Sequence, residues 1–272
     1  MYDLWIAVII GIVEGLTEFL PVSSTGHMIL VGHAIGFTGD KADSFEVIIQ
    51  LGAIMAVVVL YWKRVLRLFG IQDSNMRVQS GEPRLSLVHI LIGIIPALGL
   101  AFILKDQIKL LFKPETVVIG LIVGGIFMII AEKRGNLVTS DKLDDLTYRQ
   151  SFLIGLAQCL SLWPGFSRSG ATIAGGMLTG TSRAAAADFT FLMAIPVMMA
   201  ATGYDLLKSY KSFSSDDMVF FTVGFVVSFI VALFAVATFI KLVGKLKLTY
   251  FSYYRFGLAA VVILYMLFIG FE

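Results

Sequence analysis

Side chains able to act as acids, bases, nucleophiles or anion ligands are concentrated in two short stretches of this chain, 14–27 and 163–172. The first contains two glutamates, a Ser-Ser-Thr triplet and a histidine, and the second contains an arginine between two serines. Both lie within otherwise apolar sequence, where a charged group at membrane depth costs at least ~2.5–3.5 kcal/mol and is seldom found without a use. We therefore interpret the stretches as two halves of one active site, in which the second half supplies the cation.

The two glutamates, Glu14 and Glu18, are four residues apart and so lie on one face of a helix, one turn from each other. Two carboxylates this close repel each other unless a cation lies between them or they share a proton. Mg²⁺ and Ca²⁺ both prefer oxygen ligands, so we predict a divalent metal bound by Glu14 and Glu18. The alternative interpretation places both acids at the membrane interface as solvated charges.

Hydroxyl groups mark the predicted start of a helix in each stretch. Ser23, Ser24 and Thr25 follow a proline, and their hydroxyl groups can cap the start of a helix. The free backbone N–H groups at that helix start would point at an anion. The serines beside Arg168 repeat this arrangement, and a guanidinium can bind a phosphate with two parallel hydrogen bonds. Ordinary helix capping is the alternative role for the hydroxyls taken alone. The predicted phosphate-binding residues are Ser23, Thr25, Gly26, Ser167, Ser169, Gly170 and Thr172.

His27 lies three residues after Ser24, within reach across one helical turn. A hydroxyl is a poor nucleophile unless a base takes its proton, and a neutral imidazole is a common base. The predicted catalytic residues are Glu14, Glu18, Ser24, His27 and Arg168.

Two functions fit these residues. One is a membrane phosphatase or pyrophosphatase acting on a lipid-borne phosphate, in which Ser24 attacks, His27 accepts its proton and Arg168 stabilises the developing charge. The other is a transporter of an anionic solute, with interrupted helices as its gate. A pure carrier needs no nucleophile beside a base, which favours the enzyme.

Four further residues stand out in the apolar segments. Glu46, Gln50 and Asp188 lie early in the segments that follow the two stretches, and they are weak candidates for a supporting role around the site. The lone cysteine, Cys159, excludes an intramolecular disulfide, and we interpret it as an inert buried thiol.

The elements that must position these residues are membrane helices. Of 272 residues, 58% are hydrophobic and 15% charged, and the mean hydropathy is +0.88, which is too apolar for a soluble domain. A net charge of +2 is too small to suggest nucleic-acid binding. We predict an all-α polytopic membrane protein with ten helical segments, near 4–20, 24–37, 43–62, 87–105, 116–131, 149–162, 168–180, 184–207, 217–240 and 250–270.

The ten segments are of two kinds. The four near 4–20, 24–37, 149–162 and 168–180 are short or interrupted by Pro21, Pro164 and Gly-Ser pairs. Interrupted helices are tolerated at membrane depth only against protein or water, so we predict two re-entrant helical hairpins. The other six are long enough to cross a ~30 Å hydrocarbon layer as transmembrane helices.

An internal repeat supports this organisation. At an offset of 144 residues, Gly26, Gly32 and Gly36 fall on Gly170, Gly176 and Gly180, Ser23 falls on Ser167, and Phe45 falls on Phe189. Each half then consists of a hairpin and three crossings, and an odd number of crossings makes the repeat inverted. We predict one membrane domain, 1–272, made of inverted repeats 1–135 and 145–272. The alternative is that the shared glycines reflect the high glycine content of membrane helices.

The distribution of basic residues predicts the orientation. Loops 63–86, 132–149 and 241–247, together with Arg183, hold thirteen Lys and Arg residues, and the opposite loops hold six. By the positive-inside rule the first set is cytoplasmic, so both termini and the first hairpin open outward. At the start of the last crossing, Tyr250, Tyr253 and Tyr254 are typical of an interfacial belt, and Arg255 is predicted to extend to the interface beside them.

The two stretches also carry a resemblance to a known family. Glu14-Gly15-Leu16-Thr17-Glu18-Phe19-Leu20-Pro21-Val22-Ser23-Ser24-Thr25-Gly26-His27 and Pro164-Gly165-Phe166-Ser167-Arg168-Ser169-Gly170-Ala171-Thr172 resemble the motifs of the bacterial undecaprenyl pyrophosphate phosphatases, the integral-membrane type associated with bacitracin resistance. The similarity runs through nearly the whole chain and includes 45–52 and 146–150.

This resemblance implies hydrolysis of undecaprenyl pyrophosphate to undecaprenyl phosphate and inorganic phosphate at the outer face of the bacterial cytoplasmic membrane. That reaction renews the lipid carrier for peptidoglycan and other envelope polymers. The resemblance implies catalytic roles for the five residues named above, a divalent-metal requirement and an inverted-repeat fold. It leaves open whether Ser24 or His27 is the nucleophile, whether the protein also carries lipid across the membrane, and whether it forms a homodimer.

Overall fold

A computed structural model describes residues 3–71, 85–135, 137–209 and 217–270 of the chain. Arg77, Arg84 and Lys211, which contribute to the predicted orientation, lie outside the described residues. Apart from turns and connecting segments, the described part is helical, and it contains one isolated bridge between Ser140 and Thr181. Its twelve α-helices are α1 (Leu4–Thr17), α2 (Ser24–Ala34), α3 (Asp40–Leu60), α4 (Trp62–Leu68), α5 (Leu87–Ile103), α6 (Lys105–Leu110), α7 (Pro114–Arg134), α8 (Tyr148–Gln158), α9 (Arg168–Leu178), α10 (Arg183–Ser209), α11 (Asp217–Val243) and α12 (Leu248–Phe268).

Each of the ten predicted segments forms a helix, and the structure adds the short helices α4 and α6. Five helices are long and apolar enough to cross a membrane, which confirms a polytopic membrane protein; they are α3, α7, α10, α11 and α12. The sixth predicted crossing forms α5, which has 17 residues and is therefore about 25 Å long. The chain bends at Leu104 after α5, so the predicted segment 87–105 ends two residues early.

Small residues allow the helix backbones to approach each other closely. A Cβ atom added at Gly15 of α1 would lie 2.7 Å from the Ser228 carbonyl oxygen of α11. In the same interface the Ser228 hydroxyl donates to the carbonyl oxygen of Ile49 in α3, at 2.7 Å. Interfaces between membrane helices are often built from small residues, because lipid provides no hydrophobic force between them. Helices α1, α3 and α11 therefore form one tightly packed layer behind the first stretch.

The two stretches have the same local backbone. Ser23 and Ser167 are the non-glycine residues with positive φ in the described ranges, at 72° and 71°. Each serine accepts a hydrogen bond from the amide three residues later, from Gly26 at 3.4 Å and from Gly170 at 3.2 Å. Helices α2 and α9 then each run for eleven residues. The predicted helix starts are thus confirmed, with a backbone strain at both that the sequence pattern does not reveal.

A partly buried ion pair joins the other ends of several helices. Arg183 at the start of α10 contacts the Glu132 carboxylate of α7 at 2.6 Å, and the second Glu132 oxygen accepts the backbone N–H of Leu248 at 2.9 Å. The Arg183 guanidinium also donates to the carbonyl oxygen of Val243, at 3.3 Å. The pair is remote from the two stretches and fixes α7, α10 and the turn before α12 to one another.

Candidate active site

The ends of the two stretches meet in the structure. Arg168 Nη2 lies 3.0 Å from Glu18 Oε1, and the two side chains are only 15% and 12% exposed. The Ser169 hydroxyl donates to the carbonyl oxygen of Leu20 at 2.9 Å, which adds a second link between the same segments. Glu18 follows the last residue of α1, and Arg168 is the first residue of α9. The end of α1 and the start of α9 thus bring a carboxylate and a guanidinium into contact.

Glu18 connects the cation to the candidate nucleophile. Its other oxygen, Oε2, accepts a hydrogen bond from the Ser24 hydroxyl at 2.5 Å. Ser24 begins α2 directly after Ser23, whose positive φ turns the chain toward α1. The carboxylate therefore holds Arg168 on one side and the Ser24 proton on the other, which is the arrangement of a base beside a nucleophile.

The predicted contact between His27 and Ser24 is wrong in this structure. The Nδ1 atom of His27 lies 2.7 Å from the Ser23 carbonyl oxygen, and Nε2 lies 2.7 Å from the Tyr254 hydroxyl. A carbonyl can only accept, so Nδ1 carries the proton, and Nε2 of the neutral ring accepts from Tyr254. Both ring nitrogens are engaged away from Ser24, and the side chain that accepts the Ser24 hydrogen bond is Glu18.

Tyr254 is a residue at the site that the sequence interpretation missed. Its ring stacks on the His27 imidazole, with centroids 5.6 Å apart and planes 12° apart, and its hydroxyl bonds the same residue. The sequence pattern predicts an interfacial belt at this position, and Tyr254 is in fact 52% exposed. An aromatic ring can serve an interface and a polar partner at the same time, because only its hydroxyl is polar.

A polar cavity of about 160 Å³ opens between the two stretches. Its lining includes Glu18, Ser23, Ser24, Thr25, Ser167 and Arg168. Hydroxyl groups and a guanidinium therefore surround a space suited to an oxygen-rich anion. Gln50 lines the same cavity as its sequence position suggested, whereas Glu46 and Asp188 do not. Asp188 instead accepts a hydrogen bond from the Tyr61 hydroxyl at 2.5 Å.

The remaining predicted phosphate-binding residues lie behind this lining. The amides of Gly26 and Gly170 are used by the serine caps, and the Ser169 hydroxyl is bonded to Leu20. Thr172 is fully buried, and its hydroxyl donates to the Arg168 carbonyl oxygen at 2.9 Å. These groups hold the stretches in place and do not face the cavity.

Glu14 is the one predicted catalytic carboxylate with spare bonding capacity. It is buried one turn before Glu18, and its Oε1 atom has no hydrogen-bond partner among the described residues. The described ranges contain no cluster of three His, Cys, Asp or Glu side chains able to hold a metal by themselves. Mg²⁺, however, is commonly bound by one or two carboxylates together with substrate phosphates and water. Glu18 lines the polar cavity and Glu14 lies one turn before it, and this pair of carboxylates fits that mode of binding.

Arg255 does not extend to the membrane interface as predicted. It is 0% exposed, and its Nε and Nη2 atoms donate to the carbonyl oxygens of Leu121 and Gly120 in α7, at 3.2 and 3.0 Å. Nη2 also donates to the carbonyl oxygen of Gly165, at 2.8 Å, in the turn before Arg168. The side chain points inward because α12 packs against α7, a tertiary contact that the local sequence does not show.

The turn that carries Arg168 is pressed against α7. Gly165 has a φ of +87°, and a Cβ atom there would overlap the carbonyl oxygen of Val117. A Cβ atom at Gly120 would likewise overlap the Pro164 carbonyl oxygen. Two glycines therefore permit backbone contact between the turn and α7.

These features define a class: an all-helical integral-membrane protein with a partly buried Ser–Glu–Arg cluster beside a polar cavity. Comparison with protein families gives the particular family. The family model described as "Bacitracin resistance protein BacA" matches residues 7–261, so the chain belongs to this family. Membership confirms the resemblance found in the sequence and implies undecaprenyl pyrophosphate phosphatase activity in a membrane.

Proposed function

We propose that this protein hydrolyses undecaprenyl pyrophosphate to undecaprenyl phosphate and inorganic phosphate at the outer face of the cytoplasmic membrane. The observation that carries the proposal is the Glu18 carboxylate, which bonds the Ser24 hydroxyl with one oxygen and Arg168 with the other. The product would re-enter cell-wall synthesis as the lipid carrier.

In the first step the Ser24 oxygen attacks the terminal phosphorus of the diphosphate. Its proton passes to Glu18 Oε2, the atom that already accepts its hydrogen bond. The bond between the terminal phosphorus and the bridging oxygen breaks, and undecaprenyl phosphate leaves. Arg168 stabilises the charge on the transferred phosphoryl group, which is the main task of a protein in such a reaction.

In the second step a water molecule attacks the phosphoserine. The proton that Glu18 took up in the first step passes to solvent, and Glu18 then accepts a proton from this water. The bond between phosphorus and the Ser24 oxygen breaks, and Glu18 gives the proton from the water to the Ser24 oxygen. Inorganic phosphate leaves, and the site returns to its starting state. The positive φ of Ser23 directs Ser24 toward Glu18, and the His27 imidazole donates a hydrogen bond to the Ser23 carbonyl oxygen. His27 is therefore assigned a positioning role through Ser23.

We also propose that a divalent cation, Mg²⁺ or Ca²⁺, binds at Glu14 and Glu18 together with the substrate. When bound, it would neutralise phosphate charge and polarise the phosphoryl oxygens. The support is the unpaired oxygen of Glu14, which lies one turn before Glu18, and the position of Glu18 in the lining of the cavity.

The proposed topology is an inverted repeat of 1–135 and 145–272, with six crossings and two re-entrant hairpins. Its support is the shared backbone of the two stretches around Ser23 and Ser167 and the contact between their tips. The distribution of basic loops supports an orientation in which both termini and the cavity lie toward the outside of the cytoplasmic membrane.

The test measures phosphate release from a polyprenyl pyrophosphate by the purified protein with Mg²⁺. We expect Glu18→Ala and Arg168→Ala to abolish release while the protein remains folded. Arg183→Ala is the matched control, because the Arg183–Glu132 pair is equally buried, at 16% and 13% exposure, and remote from the cavity. Activity in both site variants would refute the assignment, and uptake of an anionic solute into liposomes without phosphate release would indicate a transporter instead.

A further inference from the structure

An apolar groove adjoins the polar cavity. It has a volume of about 340 Å³, within the range of ligand pockets, and lies between α5, α6, α7 and the segment before the Arg168 turn. Its lining includes Leu104, Ile108, Val123, Leu160, Leu162 and Trp163. Leu162 and Trp163 also line the polar cavity, so the two spaces share one wall.

The shared wall is fixed in place. Trp163 donates its indole N–H to the carbonyl oxygen of Thr116, at 2.8 Å, which ties the wall to the start of α7. A ligand that fills both spaces must therefore carry a strongly polar group next to an apolar chain. A prenyl diphosphate has this form, because its first isoprene unit is bonded directly to the diphosphate.

We propose that this groove binds the first isoprene units of the substrate and thereby selects prenyl diphosphates over other diphosphates. The inference rests on the proposed function and adds the position of the chain to it. Bilayer acyl chains are the competing occupant, since they are equally apolar.

The first test compares prenyl diphosphates of five, ten, fifteen and twenty carbons at fixed detergent concentration. We expect kcat/KM to rise at least about tenfold from the shortest to the fifteen-carbon substrate, since single methylenes can matter this much in an apolar pocket. Val123→Trp should remove most of this rise. Ile126→Trp is the matched control, because both residues are about half exposed on α7 but only Val123 lines the groove.

Cys159 offers a second measurement that does not depend on turnover. This free cysteine lines the groove and is half-buried, more accessible than the inert buried thiol predicted from the sequence. A fifteen-carbon prenyl diphosphate should slow its reaction with a maleimide, and inorganic diphosphate should not. Unchanged labelling, together with equal kcat/KM for all chain lengths, would overturn the groove assignment. Absence of any hydrolysis would instead contradict the proposed function.

A second inference comes from Arg255, whose buried guanidinium joins two elements. It bonds α7 through Gly120 and Leu121 and the Arg168 turn through Gly165, which itself lines the polar cavity. We infer that Arg255 is a positioning residue that fixes the distance between this turn and α7. Through the turn, it also fixes the position of the Arg168 guanidinium.

The test uses Arg255→Lys, which keeps the charge but lacks the planar fork that bonds several carbonyls at once. A displacement of about 1 Å can cost about 100-fold in rate, so we expect kcat to fall about 10- to 100-fold. Arg183→Lys is the control, because Arg183 also donates to backbone carbonyls, of Val243 and Gly244, away from the cavity.

Thermal stability is measured for both variants, so that a general loss of folding is separated from mispositioning. If Arg255→Lys does not fold, Arg255→Gln replaces it, since a side-chain amide can still donate to a backbone carbonyl but lacks the guanidinium fork. A kcat that falls no more than in the Arg183→Lys control, at equal loss of stability, would overturn the inference.

Discussion

Replacing Glu18 with glutamine tests whether this carboxylate accepts the Ser24 proton. The structure gives Glu18 two partners, the Ser24 hydroxyl at 2.5 Å and Arg168 Nη2 at 3.0 Å. Glutamine has the same shape, so its amide oxygen can still accept from Arg168. Its amide nitrogen, however, has no lone pair available for the Ser24 proton. The change thus removes the base and keeps the packing.

The expected loss follows from the role of a general base. Such a group contributes about 10²- to 10⁴-fold to the rate, which corresponds to about 2.7–5.5 kcal/mol of barrier at ~1.36 kcal/mol per factor of ten. The proton transfer belongs to the chemical step, so kcat should fall by this factor, whereas KM should change by less than about tenfold.

The assay is steady-state phosphate release by the purified variant, with thermal stability measured in parallel. Glu132→Gln is the control, because Glu132 is an equally buried carboxylate paired with Arg183. The reasoning is refuted if Glu18→Gln retains kcat within about tenfold of the wild-type value, since a general base is worth at least ~10²-fold.

Three further changes test other parts of the site. Tyr254→Phe removes the hydroxyl bonded to His27 and should lower kcat by less than about tenfold, because His27 acts through Ser23. A loss above about 100-fold in the same assay would show that the His27 imidazole takes part in proton transfer. Gly165→Ala forces a Cβ against α7 at a φ of +87°, so it should lower the unfolding free energy by about 1–3 kcal/mol and reduce activity. Thermal unfolding and phosphate release measure the two effects, and an unchanged midpoint of thermal unfolding would contradict the tight contact. Chelation with EDTA should abolish phosphate release and added Mg²⁺ should restore it, with Glu14→Gln requiring a higher Mg²⁺ concentration; activity that persists after chelation would contradict the metal proposal.

The sequence predicts the meeting of Glu18 and Arg168 because charged groups in apolar segments require partners, and each stretch lacks the charge that the other has. Helix starts at Ser23 and Ser167 follow from local capping patterns. These predictions depend on residues near each other in the chain or on charge balance. They are therefore accessible without coordinates.

The contacts of His27 and Arg255 are not accessible in this way. His27 could reach Ser24 by helical spacing, but its ring turns to Tyr254, 227 residues later in the chain. Arg255 follows exposed tyrosines and so has the local pattern of an interfacial residue, yet α12 packs on α7 and buries it. Helical periodicity states which residues share a face; it does not state which helix covers that face.

The most direct measurement of the central claim is to trap the phosphorylated protein. Wild-type protein is quenched during turnover of a prenyl diphosphate labelled with ³²P at its terminal phosphate, and the labelled residue is mapped. We predict an acid-stable phosphoserine at Ser24 that is absent from Ser24→Ala and from Arg168→Ala. An acid-labile label on His27, or turnover that continues undiminished in Ser24→Ala, would contradict it.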